Sequence, residues 1–118
     1  MIKAAMIQMQ VTGGRPEQNL ARAGRFLARA RAQGARLAVL PETLDLGWTH
    51  AAARKAARPV PDGEPCQCLA AAARETGLWV CAGLTERDGA RVFNTAVLLD
   101  PAGRMVLKHR KINELDFA

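Results

Sequence analysis

Two short apolar runs joined by an amphipathic stretch constrain this chain more than any other feature. The first run, Ile2 to Gln10, alternates Ile2, Ala4, Met6 and Gln8 with Ala5, Ile7 and Met9. Both faces of such a strand are largely apolar, the pattern of a sheet covered on two sides. Val11-Thr12-Gly13-Gly14-Arg15-Pro16 reads as a turn, and a helix is expected from Pro16 to Gln33. Pro16 suits the first helical turn and Gly34 the stop. Leu20, Ala23, Leu27 and Ala30 recur at three- and four-residue steps and form its buried stripe, with Arg22, Arg25 and Arg29 on the wet side. Leu37-Ala38-Val39-Leu40 is then an all-apolar run of strand length. A strand, a long helix and a second buried strand make a β-α-β unit, whose connection is long enough for a parallel crossover. The first turn has no G-x-G-x-x-G, so a dinucleotide site is unsupported.

Downstream, Thr49 to Arg58 is rich in Ala, Arg and Lys and is expected to be helical, until Pro59-Val60-Pro61-Asp62-Gly63-Glu64-Pro65 breaks it. A helix from Pro65 to Thr76 stops at Gly77, and Leu78 to Thr85 reads as a strand. Arg87-Asp88-Gly89-Ala90 supplies hairpin turn chemistry before a returning strand, Arg91 to Leu99. Asp100-Pro101-Ala102-Gly103 is another turn, and Arg104 to Lys108 a last strand. The expected order is β-α-β-α-α-β-β-β, an α/β chain whose 118 residues suffice for one core.

The net charge of +6 raises the alternative of a basic interaction or nucleic-acid-binding module without catalysis. The charge is spread among alanines in helical segments rather than run together. With no Tyr, three Phe and two Trp, stacking platforms for bases are scarce, so nucleic acid is disfavoured as a partner. No apolar stretch is long enough to span a bilayer, and the N-terminus reads as a strand rather than a signal peptide. A cytoplasmic location is the expectation. Three cysteines, an odd number, fit a reduced compartment. Cys66-Gln67-Cys68 is a lone C-x-C, and neither His50 nor His109 stands at ligand spacing from it, so a zinc site is disfavoured.

Leu40-Pro41-Glu42 places a carboxylate just past the end of a buried parallel strand, on the rim where active sites of open α/β sheets collect. Partial burial there would suit a general base. Taken alone, a Glu after a strand is more often a helix-start or surface residue. Lys108-His109-Arg110-Lys111-Ile112-Asn113 follows another strand; taken alone, it reads as a solvated loop or a charge-protected edge.

Taken together, these segments resemble the nitrilase superfamily of carbon–nitrogen hydrolases. Leu37-Ala38-Val39-Leu40-Pro41-Glu42-Thr43 resembles its glutamate motif. Gly83-Leu84-Thr85-Glu86-Arg87-Asp88-Gly89 with Val92-Phe93-Asn94-Thr95-Ala96 resembles its central hairpin. Asp100-Pro101-Ala102-Gly103 and His109-Arg110-Lys111 resemble its turn and its lysine motif, all in the family's order. The resemblance implies an α-β-β-α sandwich and a Cys-Glu-Lys catalytic set acting on an amide, N-carbamoyl or nitrile substrate without metal or cofactor. Glu42 would be the general base, and Lys111 the cation facing charge that develops on the substrate. These two side chains are expected to converge on one rim of the sheet. Family members commonly form homo-oligomers.

In the family the nucleophilic cysteine follows a strand beyond the lysine motif, and none of Cys66, Cys68 and Cys81 stands in that order. Residues 1–118 are therefore expected to be the N-terminal portion of the sandwich, a partial domain ending after the lysine motif, inactive alone, with a sheet face and an edge uncovered. Cys81 reads as a buried strand filler. A second family glutamate finds no match, because Glu114 stands too close to Lys111. Glu86 reads as an exposed residue at the hairpin tip, and Asn94 as a hydrogen-bonding residue that fixes its strand.

Overall fold

The computed structural model describes residues 1–112. Five strands lie in chain order in one sheet, β1 (Ala4–Met6), β2 (Leu37–Val39), β3 (Trp79–Asp88), β4 (Arg91–Leu99) and β5 (Met105–Arg110). The first three are mutually parallel, and β3, β4 and β5 run antiparallel. Helices α1 (Pro16–Ala32), α2 (Ala53–Ala56) and α3 (Glu64–Thr76) fill the crossovers. The element order is the expected one, and the α/β class with it.

The strand ends differ from expectation for a physical reason: a ladder lasts only as long as its partner. β2 has three residues, so β1 pairs only through Ala4, Ala5 and Met6 although the apolar alternation around it is longer. α2 shrinks to four residues because Thr49 takes a positive φ of 58° and the His50 ring accepts the Ala52 amide, which bends the chain before any helix starts.

Leu20, Ala23, Leu27 and Ala30 of α1 are buried, as their spacing requires. They pack with Cys66, Leu69, Ala70 and Ala73 of α3 over Val80, Ala82, Leu84, Val97 and Leu99 of the sheet. Each fully buried leucine there contributes about 1.5–3 kcal/mol relative to exposure. α1 begins without a side-chain cap. Its fourth residue, Asn19, reaches back instead, bonding both the amide and the carbonyl of Thr12 at 2.8 Å and the Asp45 carbonyl at 2.8 Å. That buried amide ties the first turn to the loop that follows β2.

Both long helices lie on one face of the sheet. Across the other face runs a row in register, Met6, Val39, Cys81, Leu98 and Leu107. Met6 is 81% and Leu107 66% exposed, with Trp79 39% exposed in the neighbouring row. Among the described residues no layer covers this face, which is what one half of an α-β-β-α sandwich presents. Cys81 is accordingly half-buried rather than fully buried.

Candidate functional site

Past Leu40 the chain leaves the strand but not the sheet. The Leu40 amide donates to the Cys81 carbonyl at 2.8 Å, the Gly83 amide to the Pro41 carbonyl at 3.2 Å, and the Leu44 amide to the Gly83 carbonyl at 3.0 Å. Residues 40–44 thus lie against β3. Gly83 makes this approach possible, because a Cβ there would stand 2.4 Å from the Glu42 Cα. Thr43 takes a φ of 46° and is buried, and Leu44 and Leu46 insert into the interior. A non-glycine residue at positive φ beside a candidate catalytic carboxylate is a position where strain is held by the surrounding packing.

Asp45 completes the anchoring. It is 1% exposed, and its carboxylate accepts from the Thr85 amide at 3.1 and 3.2 Å and from the Thr85 hydroxyl at 3.1 Å. Burial pushes this carboxyl above the ordinary aspartate range, against the opposing pull of the bonds from Thr85. An acid whose folded pKa is raised favours the folded state below its unfolded pKa. That contribution is lost as pH rises through the folded value. Asp45→Asn removes the charge and keeps the Thr85 amide and hydroxyl bonds to Oδ1, losing only the second branch of the amide bond, to Oδ2. It should be more stable than the wild-type chain at pH 7.5 and should flatten the decline in stability as pH rises, read by urea titrations across pH. Lower stability of the variant at pH 7.5 would contradict this account.

Held this way, Glu42 projects from the rim on the open face. Its side chain is 52% exposed, so the expected partial burial is not found; nothing among the described residues stacks on that face. The Asn94 side-chain amide donates to its Oε2 at 3.0 Å. Asn94 lies opposite Thr85 in the hairpin, and its carbonyl accepts the Lys111 amide at 2.9 Å. The Lys111 Nζ stands 3.8 Å from the same Oε2. A strand-following carboxylate, a hairpin amide and an ammonium just past β5 therefore meet at one point. An exposed pair at this distance is worth well under about 1 kcal/mol to stability, so stability does not explain the convergence.

Two residues escape the sequence reading. Asn94 bonds the Glu42 carboxylate rather than merely its own strand. Glu86 is not at the hairpin tip: β3 continues to Asp88, the turn is Gly89-Ala90 with Gly89 at φ 60°, and Glu86 is 2% exposed. Alternation from Val80 through Ala82 and Leu84 puts Glu86 on the helix-covered face, and counting that period to the end of the run would have found it. It accepts from the Thr95 hydroxyl and Lys108 Nζ, each at 2.8 Å, and from Arg110 at 2.8 and 3.2 Å. Burial by itself would raise its pKa. The bonds from Arg110, Lys108 and Thr95 more than reverse that and hold it at about 2.

Two of the three cysteines lie across the sheet from this chemistry, whereas Cys81 is on the open face, its carbonyl accepting the Leu40 amide. Cys66 is buried in α3, and burial, then the charges of Asp62 and Glu86, push its thiol up to about 11. Cys68, on the same helix, is also raised, by partial desolvation and then Glu64 and Glu75. Neither is an activated thiolate. Among the described residues no group of three or more His, Cys, Asp or Glu side chains is placed to hold a metal ion. Arg22 donates to the Gln10 carbonyl, and Arg29 lies over the Phe26 ring, on the solvated side of α1. Glu114 and Asn113 fall outside the described residues.

A family model for carbon–nitrogen hydrolases matches residues 3–116. A nitrilase of Pyrococcus abyssi is 37% identical over 116 residues, covering 96% of this chain and 44% of its own length. Omega-amidase NIT2 of Danio rerio is 31% identical over 115 residues, covering 97% of this chain and 41% of its own. Among solved structures, an amidase from Nesterenkonia sp. shares the fold with a TM-score of 0.82 at 22% identity, over 98% of this chain and 44% of that one. The chain thus spans less than half the length of these relatives.

Proposed function

The chain belongs to the carbon–nitrogen hydrolase family, and we propose that it supplies two of the catalytic groups of an enzyme that hydrolyses a non-peptide C–N bond. The observation that carries this reading is the meeting of Glu42 and Lys111 at 3.8 Å on the rim of the sheet, both solvent-accessible and neither needed for the core. Glu42 takes the proton of a thiol, which attacks the carbon of an amide, N-carbamoyl group or nitrile. Lys111 faces the negative charge that develops on the substrate heteroatom. Glu42 returns the thiol's proton to the substrate nitrogen, which leaves an amide or N-carbamoyl group as amine or ammonia; a nitrile gives a thioimidate, which takes up one water before ammonia leaves. Glu42 then activates the water that hydrolyses the resulting thioester. Asn94, donating to Oε2, holds the carboxylate with its other oxygen turned to the reacting atoms. No step requires a metal or an organic cofactor.

On this reading the thiol comes from outside residues 1–118: Cys66 and Cys68 sit on the helix across the sheet with raised pKa values, and Cys81, half-buried on the open face, precedes the lysine motif where the family's nucleophile follows it. The chain alone should release no ammonia from short amides, N-carbamoyl amino acids or nitriles. A longer protein carrying a cysteine-bearing second layer should. Glu42-dependent turnover by residues 1–118 alone would place the nucleophile within them and refute this division of labour.

A further inference from the structure

Beyond Met105, which pairs with the buried Leu99 and packs against the core, β5 has little apolar reason to keep its register. Its pairings place Lys108 and Arg110 beside Val97 and Thr95 on the helix-covered face, where an ordinary strand would carry apolar residues. Leu107 points to the open face and is 66% exposed. A strand whose inward apolar row stops at its first residue is weakly specified and prone to slip, and a one-residue slip turns every side chain to the opposite face.

From this geometry we infer that Glu86 fixes the register of β5 and thereby selects Lys111 as the side chain that reaches Glu42. Glu86 is a positioning residue, acting through the strand and not on substrate. The inference rests on the reading of Glu42 and Lys111 as the working pair. Glu86 binds Lys108 and Arg110 together, each through a contact of 2.8 Å. Arg110 also reaches Asp88 at 2.9 Å and lies 4.0 Å over the Phe93 ring. A slip of one residue would carry both cations to the open face, strand the Glu86 carboxylate in the interior, and turn Arg110 toward Glu42. A slip of two would put Lys108 where the Arg110 guanidinium bridges Glu86 and Asp88, and an ammonium cannot reproduce that fork. Removing one member of a buried ion group is costly because it leaves an uncompensated charge, and fixing register is the best-attested use of such groups. Alternation along β5 then puts Lys111 on the face opposite Arg110, beside Asn94.

The 118-residue chain can be tested directly by zero-length carbodiimide coupling, which joins a carboxylate to an amine only when they are in contact; the Glu42–Lys111 peptide is quantified by mass spectrometry. Each protein is held at a temperature where circular dichroism shows it fully folded. Glu86→Gln should lower the coupling yield at least fivefold and speed exchange of the Lys111 amide at least tenfold more than that of the Val80 and Leu84 amides, which report the global loss of stability. A purely structural Glu86 would leave the yield intact in the folded fraction, and that result would overturn the inference. Should Glu86→Gln fail to fold, Arg110→Lys carries the test, since it keeps both charges and loses only the fork. Its yield should fall at least twofold, and an unchanged yield would again overturn the assignment. Absence of the coupled peptide from the wild-type chain would instead remove the Glu42–Lys111 pair itself.

Discussion

Glu42→Gln, in a protein that carries the nucleophilic thiol, should lower kcat/KM at least 10³-fold, about 4 kcal/mol of transition-state stabilisation, and leave folding stability within about 0.5 kcal/mol. Both halves follow from the position of the side chain. As proposed, the carboxylate acts twice, first on the thiol and then on water, and a carboxamide can accept neither proton. The same side chain is 52% exposed, and its ion-pair distance to Lys111 is 3.8 Å, so little stability is at stake. A Gln Oε1 would still accept from Asn94. Lys111→Met should cost about 10²–10³ in kcat on the same reasoning, because it removes one cation from the developing charge. Glu86 should behave in the opposite way: its neutralisation reduces stability directly and reaches activity only through β5. Steady-state kinetics with a chemical denaturation curve on each variant separates the patterns. A Glu42→Gln enzyme with unimpaired turnover would end the proposed role of that residue.

How much of this was legible in the sequence depended on whether the signal was local. The β-α-β frame was, because Leu20, Ala23, Leu27 and Ala30 keep helical period and Leu37 to Leu40 has no polar residue to turn outward. Glu42 was visible as the first charged residue after that run. Lys111 was not separable from Lys108 and Arg110 by any local rule, and only its place in a family-like order singled it out. The fold then shows what a linear reading cannot: alternation sends Lys108 and Arg110 to a buried carboxylate and Lys111 to the rim. Glu86 was misplaced because Arg87-Asp88-Gly89-Ala90 has turn composition throughout, whereas pairing of Asp88 with Arg91 leaves only Gly89-Ala90 for the bend. Asn94 was recognised as a hydrogen-bonding residue, but its partner lies 52 positions away and no spacing predicts it. The weak point of the local reading was the Ala-rich stretch from Thr49, where helix propensity yielded to the backbone bend at Thr49 and His50.

Gly83→Ala should be strongly damaging to both fold and site. The added Cβ would meet the Glu42 Cα at 2.4 Å, the Pro41 carbonyl oxygen at 3.0 Å and the Thr43 amide nitrogen at 3.0 Å. All three are backbone atoms, so no side chain can rotate away. The loop cannot simply lift either, because the Leu40–Cys81, Gly83–Pro41 and Leu44–Gly83 hydrogen bonds hold it to β3, and Asp45 clamps it to Thr85. Relief must come from breaking some of these bonds or bowing β3, at a cost of about 3 kcal/mol or more, a fall in Tm of roughly 10 °C for a domain of this size. The displaced residue is Glu42 itself, so in the thiol-bearing protein turnover should drop about as far as with Glu42→Gln. Gly24 is the matched control. It lies inside α1 with nothing within 4 Å of a Cβ and no positive φ, so Gly24→Ala should stabilise the chain by about 0.5–1 kcal/mol through helix propensity alone. Opposite signs for the same chemical change at two glycines, read by thermal melts side by side, would show that the loop bearing Glu42 is seated directly on β3. Equal effects would mean that it is not.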